Sequence, residues 1–286
     1  MTAIPGDLTA DDRLSRLHAI LDRKQKFIGG KWTSFSAVTN AYSLMGINTD
    51  FPLELLREGV ARFYNRAATG QEPVNVKNYN ILLFGPPGTG KTEYVKHLAG
   101  SIEKELIVKR ASDLLDKYVG GTEKLIADAF REAEAHEAVL FLDEADSLFI
   151  NREGAHRSWE VSQTNELLCQ MENFSGVLAC ATNHQDGMDP AVMRRFACKV
   201  KFDYLLPDGN TEFYRRILLP LARTEPTADE YSRIKNIRGL APGDFKAVYQ
   251  KRVFCEQPSV CDLVWDLETE AGIRRNMGHR AVTGIR

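Results

Sequence analysis

Cysteine is scarce in this sequence and follows no pattern. Five occur among 286 residues, at Cys169, Cys180, Cys198, Cys255 and Cys261. None of them forms the CxxC pairs that zinc sites use, and an odd, scattered set does not suit a disulfide framework. We therefore expect reduced thiols and no structural metal.

Long hydrophobic runs are missing as well. No uninterrupted apolar run reaches the roughly 18 residues that a membrane-spanning helix needs. Residues 1–12 have neither the basic start nor the apolar core of a secretion signal. The sequence therefore predicts a protein without a membrane span, and a cytoplasmic location is the default expectation.

Neither sign of charge is in large excess. Lys and Arg number 37 against 39 Asp and Glu, which gives a formal net charge of -2. This balance excludes a chain that is basic over its whole surface to hold nucleic acid, although it leaves room for a local basic groove. With 43% hydrophobic residues, the chain can bury one large core, with or without a smaller second domain.

The first 78 residues give weak structural signals. Helix-compatible apolar spacing covers 11–28 until a pair of glycines interrupts it, and a second helix is expected over 52–65. The polar stretch 67–78 contains glycine and proline and is typical of a connector.

From Tyr79 onward, short apolar runs alternate with amphipathic segments. The expected strands cover 81–84, 105–109, 138–143, 176–182 and 198–202. The expected helices between them cover 91–102, 122–136 and 159–172. Strands this short and continuously apolar are covered on both faces, so the pattern predicts an α/β fold with a parallel sheet flanked by helices. After residue 206 only helical patterns remain, which indicates a small all-helical second domain.

One glycine-rich segment matches the phosphate-binding pattern G-x-x-x-x-G-K-[ST] in full. It follows the expected strand 81–84, opens a helix, and consists of Gly85, Pro86, Pro87, Gly88, Thr89, Gly90, Lys91 and Thr92. Glycines let such a loop curl until its backbone N–H groups point at phosphate oxygens, and the helix N-terminus adds partial positive charge. Lys91 would reach the β- and γ-phosphates, and the Thr92 hydroxyl would ligate Mg²⁺. The sequence therefore predicts a nucleotide site that holds ATP with Mg²⁺.

Two carboxylates stand at the end of the apolar run 138–143, where Glu144 follows Asp143. Ligands of open α/β sheets bind at the carboxyl ends of the strands, so both side chains are expected beside the phosphates. Asp143 is then a direct or indirect Mg²⁺ ligand, and Glu144 is placed to polarise the attacking water. A helix cap is the alternative for such a pair, and the neighbouring phosphate loop favours catalysis.

Two further polar sites lie downstream. The strand 176–182 leads into Asn183, whose amide can orient the attacking water without titrating, or can cap the next turn instead. Arg194 and Arg195 follow in a short predicted helix, and guanidinium groups at a rim can reach the γ-phosphate of a neighbouring subunit. A solvated pair of cations is the alternative.

In this order and at these spacings, the segments GPPGTGKT, FLDEADSLF, ATN and DPAVMRRF resemble an ATPase of the AAA+ superfamily, in its AAA branch. The resemblance covers the chain from about Met45 to its C-terminus. Two further segments, 157–168 and 240–245, are similar to bacterial cytoplasmic AAA ATPases related to the sporulation stage V protein K group.

The resemblance implies a P-loop sheet domain with an all-helical lid. The implied division is an N-terminal helical arm (1–44), an α/β ATPase domain (45–206) and the lid (207–286). The roles that it implies agree with those suggested by the motifs: Lys91 and Thr92 hold ATP and Mg²⁺, Asp143 and Glu144 are the Walker B pair, and Asn183 senses the γ-phosphate. Gly243 lies where relatives contact adenine.

The resemblance also implies a homo-oligomeric ring, usually a hexamer. Arg194 and Arg195 match arginine-finger positions that act across a subunit boundary, so no active site is complete in one chain. Relatives separate the two arginines by an inserted Pro-Gly, whereas they are adjacent here. Which of the two reaches the phosphate is therefore open.

A substrate contact is implied at Tyr118 and Val119. These residues match the aromatic–aliphatic–glycine loop that faces the central pore of AAA unfoldases. An aromatic ring can hold an extended peptide of any sequence by stacking and apolar contact. A loop tyrosine that packs against its own neighbours is the alternative.

Three functions compete on these grounds. The favoured one is an ATP-hydrolysing ring that threads a protein substrate through its pore and remodels or unfolds it. The second is a nucleotide-switched module that assembles and recruits a partner protein. A nucleic-acid loader is third, because the sequence has no basic run interleaved with aromatic residues.

Overall fold

The computed structural model of the protein describes residues 44–69, 76–118, 120–149, 158–183, 188–255 and 257–282. All of these residues belong to one compact unit. The helix predicted at 11–28, and the arm of which it is part up to residue 43, lie outside the described residues.

A six-stranded sheet forms the centre of this unit. Its strands are β1 (Asn48–Thr49), β2 (Tyr79–Phe84), β3 (Leu106–Arg110), β4 (Val139–Asp143), β5 (Val177–Thr182) and β6 (Cys198–Asp203). Their spatial order is β1-β6-β2-β5-β4-β3. The strands β2 to β6 pair in parallel, so the carboxyl ends of the three neighbours β2, β5 and β4 meet at one edge. We call this edge the nucleotide edge.

The expected parallel sheet is confirmed with one correction at its margin. The two residues of β1 pair antiparallel with β6, Asn48 opposite Asp203 and Thr49 opposite Phe202, so the sheet is mixed. A strand of two residues is too short to carry a periodic pattern, which is why the sequence did not predict it.

Six helices precede β6 in the described residues. They are α1 (Leu53–Thr69), α2 (Lys91–Ser101), α3 (Ala111–Leu114), α4 (Gly121–Ala135), α5 (Ser158–Asn173) and α6 (Pro190–Arg194). The predictions for α2, α4 and α5 are confirmed to within one residue at each end. The prediction for α1 ended too early, because its last turn extends into the supposed connector. Nothing in the Ala-Ala-Thr sequence of that turn stops a helix, and alanine favours one.

The central strands are apolar on both faces because helices cover both faces. Successive side chains of a strand point to opposite sides. Leu82 and Leu140 accordingly lie in a core shared with α4 and α5, whereas their neighbours Leu83 and Phe141 lie in a second core shared with α1 and α2. All four side chains are fully buried, which gives the nucleotide edge a rigid base.

The chain after β6 forms a helical layer with its own core. Its helices are α7 (Pro207–Phe213), which continues through a π-helical turn (Tyr214–Leu218), α8 (Ala228–Asn236), α9 (Pro242–Arg252) and α10 (Val260–Val282). Phe245 of α9 and Leu263 of α10 are fully buried in this core. Ile47 packs against both this core and the sheet core. The expected all-helical segment is confirmed, while its division from the sheet as a separate domain stays a prediction.

Two ion pairs to one buried carboxylate connect α9 to α10. The Asp266 carboxylate is 1% exposed and accepts hydrogen bonds from Lys251 Nζ and Arg252 Nε, each at 2.6 Å. Burial opposes the ionisation of Asp266, but these two bonds together lower its pKa.

None of the helices in the described part of the chain is long and apolar enough to cross a membrane.

Candidate nucleotide-binding site

The phosphate loop, residues 85–92, connects β2 to α2 through backbone conformations that favour glycine. Gly85, Gly88 and Gly90 have φ angles of 137°, 78° and 104°, which other residues rarely adopt. A Cβ atom at Gly85 would lie 1.9 Å from the carbonyl oxygen of Phe202, so no larger residue fits there. The buried Thr89 hydroxyl donates to the Pro86 carbonyl at 2.8 Å and closes the loop.

Lys91, the first residue of α2, is buried inside the curve of this loop. Its ammonium group donates to the carbonyl oxygens of Gly85 (2.7 Å) and Pro86 (2.9 Å) and to Asn183 Oδ1 (2.9 Å). Burial lowers the pKa of Lys91 to about 8, although the negative charges of Asp143 and Asp146 act in the opposite direction. A cation that is held this deep among neutral acceptors favours an anionic ligand, because the anion compensates the cost of burying the charge.

Thr92 and Asp143 join α2 to the end of β4. The Thr92 hydroxyl donates to Asp143 Oδ2 at 2.9 Å, and the backbone N–H of Glu144 donates to Asp143 Oδ1 at 3.0 Å. Mg²⁺ binds oxygen ligands octahedrally at about 2.0–2.1 Å, so that adjacent ligands lie about 2.9 Å apart. The hydroxyl and carboxylate oxygens have this chemistry and this separation. The residues therefore fit the ion, with Asp143 acting on it directly or through a water molecule.

Glu144 differs from Asp143 in being exposed. Its backbone has a φ angle of 54°, so the chain leaves the direction of β4 at Glu144. The 3-10 turn Ala145–Leu148 follows. The Glu144 carboxylate makes no hydrogen bond or ion pair with any residue that the structure describes. It is therefore available to a water molecule in the way that a general base requires.

Asn183 follows β5 and is held from two sides. Its side-chain oxygen accepts the hydrogen bond from Lys91, and its backbone N–H donates to Asp146 Oδ1 at 3.2 Å. The Thr182 hydroxyl also donates to Asp146 Oδ1. Asp146 is not among the site residues predicted from the sequence. A signal for it is present, because it is the third acidic residue of FLDEADSLF, and three residues after Asp143 the chain can return to the same edge.

The adjacent arginines occupy different environments. Arg195 donates through Nη1 to the Ala191 carbonyl at 2.8 Å and pairs through Nη2 with the carboxylate of Glu172, and its side chain is 28% exposed. Arg194 is exposed and makes no hydrogen bond or ion pair with the described residues. Asp189 starts their helix α6 by accepting the backbone N–H of Ala191 at 2.7 Å.

The loop before α4 exposes its tyrosine. Tyr118 is 69% exposed, its backbone N–H donates to Asp116 Oδ1 at 3.0 Å, and the Lys117 ammonium group lies 5.1 Å from the centre of its ring. The ring does not pack into either sheet core. Val119 lies outside the described residues.

The helical layer contacts the phosphate loop at Gly243. The backbone N–H of Gly243 donates to the Gly88 carbonyl at 2.9 Å, and a Cβ atom at Gly243 would lie 3.2 Å from Gly88 Cα. The turn that carries Gly243 is fixed by Asp244, whose Oδ2 accepts the backbone N–H of Ala241 at 2.7 Å. A glycine therefore suits this contact, since a side chain would press against the loop.

The predicted site residues thus fall into two groups. Direct contacts connect Lys91, Thr92, Asp143 and Asn183 across α2, β4 and β5, and Gly243 reaches the same loop from the helical layer. None of the contacts described above connects Tyr118, Arg194 or Arg195 to this cluster. At the nucleotide edge the chain therefore has a cationic, glycine-lined cradle beside oxygen ligands for a metal.

Comparison with known proteins agrees with this chemistry. Residues 81–204 match the family described as "ATPase family associated with various cellular activities (AAA)". The chain is 37% identical over 145 residues to the 26S proteasome subunit RPT4 of Saccharomyces cerevisiae, which covers 47% of this chain and 33% of that protein.

Two bacterial relatives give similar values. An "AAA ATPase forming ring-shaped complexes" of Kocuria rhizophila is 32% identical over 203 residues, or 62% of this chain and 35% of that protein. The ATP-dependent zinc metalloprotease FtsH 2 of Sphaerobacter thermophilus is 37% identical over 157 residues, or 52% of this chain and 24% of that protein. The chain therefore spans about a third or less of the length of these three relatives.

Proposed function

Because this chain contains an AAA ATPase domain, we propose that it binds and hydrolyses ATP with Mg²⁺ and uses the energy to remodel a protein substrate. The observation that carries the proposal is the convergence of Lys91, Thr92, Asp143 and Asn183 at the nucleotide edge. A structural turn does not need a buried lysine, a metal-compatible oxygen pair and a glycine cradle in one place.

The residues of this chain position the phosphates and the attacking water, and one of them accepts a proton from that water. The backbone N–H groups of the phosphate loop and the N-terminus of α2 receive the phosphates, and Lys91 exchanges its carbonyl partners for phosphate oxygens. Thr92 and Asp143 would hold Mg²⁺, which neutralises charge on the phosphates when it is bound. Glu144 accepts a proton from the attacking water, and Asn183 orients that water against the γ-phosphate.

We propose that the working form is a ring of identical subunits, and we expect a hexamer. An exposed arginine in α6 then completes the site of the neighbouring subunit. One relative is described as forming ring-shaped complexes, which supports a ring here. Closure of the helical layer on the phosphate loop through Gly243 provides the motion that nucleotide binding controls.

We propose that the substrate is a protein segment that Tyr118 contacts in the central pore. The exposed ring supports this assignment, and so do the relatives, which include a proteasome subunit and a protease. The second candidate, a nucleotide-switched module that recruits a partner protein, needs the same nucleotide edge but no substrate contact at Tyr118. We rank a nucleic-acid loader below both.

The test combines assembly with hydrolysis. Glu144→Gln keeps the acceptor geometry but removes the general base, so we expect it to bind ATP and to hydrolyse it about 10²- to 10⁴-fold more slowly. Its mass in solution should grow to that of a ring when ATP and Mg²⁺ are added. The specific ATPase rate of the wild type should rise with protein concentration, because two subunits share each site.

Lys91→Ala is the matched control, since it removes the phosphate contact and should stay unassembled with ATP. A Glu144→Gln protein that remains monomeric with saturating ATP, together with a wild-type rate independent of concentration, would contradict the ring. A wild type that binds no ATP would contradict the proposed function as a whole.

A further inference from the structure

The carboxylate of Asp146 lies at the point where main-chain pairing between β4 and β5 ends. The register of the two strands runs from Val139 opposite Val177 to Leu142 opposite Cys180. Beyond that pair, the chain of β4 turns away through Glu144, and Asn183 continues past β5. Asp146 returns to this gap from the following 3-10 turn, Ala145–Leu148.

In that gap, one oxygen of Asp146 accepts two hydrogen bonds from the end of β5. The donors are the buried hydroxyl of Thr182 and the backbone N–H of Asn183, the latter at 3.2 Å. A backbone N–H that lies beyond the last ladder pair needs another acceptor, and a carboxylate is a strong one. The bond therefore fixes the backbone of Asn183 rather than its side chain.

The contact continues from Asn183 to the phosphate loop. Asn183 Oδ1 accepts the hydrogen bond from Lys91 Nζ at 2.9 Å, so Asp146, Asn183 and Lys91 form one uninterrupted chain. This chain of contacts connects Lys91, the proposed phosphate ligand, to the carboxyl end of β5 and to the turn that follows β4. A change at Asp146 is therefore transmitted to Asn183 without any direct contact between Asp146 and the nucleotide.

We propose that Asp146 is a positioning residue for ATP hydrolysis, which holds Asn183 at the place where its amide distinguishes ATP from ADP and orients the attacking water. This inference rests on the proposed function. It assigns Asp146 an indirect role, in contrast to Asp143 and Glu144, which act on the metal and on the water. The element that Asp146 fixes is the carboxyl end of β5.

The inference predicts a separation between binding and turnover. Asp146→Ala leaves the hydrogen bonds of Lys91 to the loop carbonyls and the Thr92–Asp143 pair in place. It also removes a negative charge that raises the pKa of Lys91 but repels the phosphates. These two effects oppose each other, so the affinity for ATP should change by less than about threefold. A displaced orienting group costs up to about 10²-fold in rate, so kcat should fall by about 10- to 100-fold. The preference for ATP over ADP should fall as well, because Asn183 no longer lies at a fixed distance from the γ-phosphate.

Asp146→Asn tests whether the hydrogen bonds carry this effect. Its side-chain oxygen can still accept from Thr182 and Asn183, so kcat and the ATP preference should return to within severalfold of the wild type. The chain offers a matched control in Asp262, whose Oδ2 also accepts a hydroxyl (Ser259, 2.7 Å) and a backbone N–H (Ser259, 3.0 Å), but at the start of α10. Asp262→Ala should leave the kinetics unchanged.

The experiment measures the affinities for ATP and ADP with Mg²⁺, the steady-state kcat and KM, and the thermal unfolding of the full-length wild type and these variants. Reduced kcat and ATP preference in Asp146→Ala, with recovery in Asp146→Asn, would support the positioning role. Equal kinetics in Asp146→Ala and Asp262→Ala would overturn it, as would an Asp146→Asn protein that folds but is as impaired as Asp146→Ala. Neither outcome resembles failure of the proposed function, in which the wild type itself binds or hydrolyses no ATP.

Discussion

Most side chains at the nucleotide edge are held by hydrogen bonds within the chain, whereas several exposed side chains of the same compact unit are not. Lys91 makes three hydrogen bonds within the chain, and Thr92 and Asn183 are each joined to a carboxylate. Tyr118 and Arg194, in contrast, project into solvent. The side chains expected to contact the phosphates and the metal are fixed by their own chain, whereas those of Tyr118, Arg194 and the proposed general base Glu144 are left without such bonds.

Arg195 lies between these two cases and shows why the difference is useful. Its position in the sequence suits an arginine finger as well as that of Arg194 does. Its guanidinium group, however, already pairs with Glu172 and caps the Ala191 carbonyl. An arginine that acts on a neighbouring subunit would have to give up these partners, so the comparison favours Arg194 as the finger.

The largest expected effect comes from substituting the two arginines one at a time and comparing the variants. Arg194→Ala should assemble and bind ATP normally but hydrolyse it about 10³- to 10⁵-fold more slowly, since the γ-phosphate loses its cation from the neighbour. Arg195→Ala should lose much less activity and should instead lower the thermal stability, because Glu172 and the Ala191 carbonyl lose their partner. ATPase rates at saturating protein concentration and melting curves of both variants provide the measurement.

The Glu172→Gln variant is the control for the structural role of Arg195, because it weakens the same pair while leaving both arginines in place. It should resemble Arg195→Ala in stability and the wild type in rate. A protein in which Arg195→Ala abolishes hydrolysis and Arg194→Ala does not would reverse the assignment. Exposure would then be a poor guide to the residues that act between subunits.

A smaller effect is expected from titrating Lys91. With its pKa lowered to about 8, the ammonium group of the free protein loses its proton as the pH rises from 7 to 9. Phosphate binds the protonated form, so the protonated fraction, and with it the affinity for ATP, should fall about tenfold over this range. Equilibrium titration with a fluorescent ATP analogue at constant ionic strength measures it.

Lys91→Arg gives the matched comparison for this pH dependence. A guanidinium group keeps its charge throughout this range, so the variant should bind more weakly at pH 7 but show no such decline. A wild-type affinity that is flat between pH 7 and 9 would contradict the link between the burial of Lys91 and nucleotide binding.

The same contrast explains what could be predicted from the sequence. The strands and the phosphate loop depend on local patterns, namely continuous apolar runs and a glycine-rich turn before a helix, and both were placed to within a few residues. The partners of Lys91 and Asn183 were not predictable. Residues 91 and 183 are far apart in sequence, and only the pairing of β2 with β5 brings their strand ends together.

Asp146 shows this limit most clearly. Within FLDEADSLF, its spacing of three residues from Asp143 allows a return to the same sheet edge, but nothing local shows which donors its carboxylate would accept from. Its acceptor role depends on where the pairing of β4 and β5 stops, which is set by the packing of the whole sheet. The short strand β1 was missed for a related reason, because its partner β6 lies about 150 residues away along the chain.

The smallest effect on ATP hydrolysis, and the sharpest test of the comparison, is expected at Tyr118. Its exposed ring makes no contact with the nucleotide edge, so Tyr118→Ala should change the substrate-free ATPase rate by no more than about twofold. It should nevertheless abolish the unfolding of a fluorescent protein with an unstructured tail, whereas Tyr118→Phe, which keeps the ring, should retain it.

Phe254 supplies the control, because it is 94% exposed but lies in the helical layer, just after α9. If exposure of any aromatic ring were enough, Phe254→Ala would impair unfolding as Tyr118→Ala does. If the substrate loses its fluorescence with the wild type and with Phe254→Ala but not with Tyr118→Ala, the substrate contact lies in the loop of Tyr118. Unfolding that survives in Tyr118→Ala, with hydrolysis intact, would rule out gripping by this residue and favour the nucleotide-switched module.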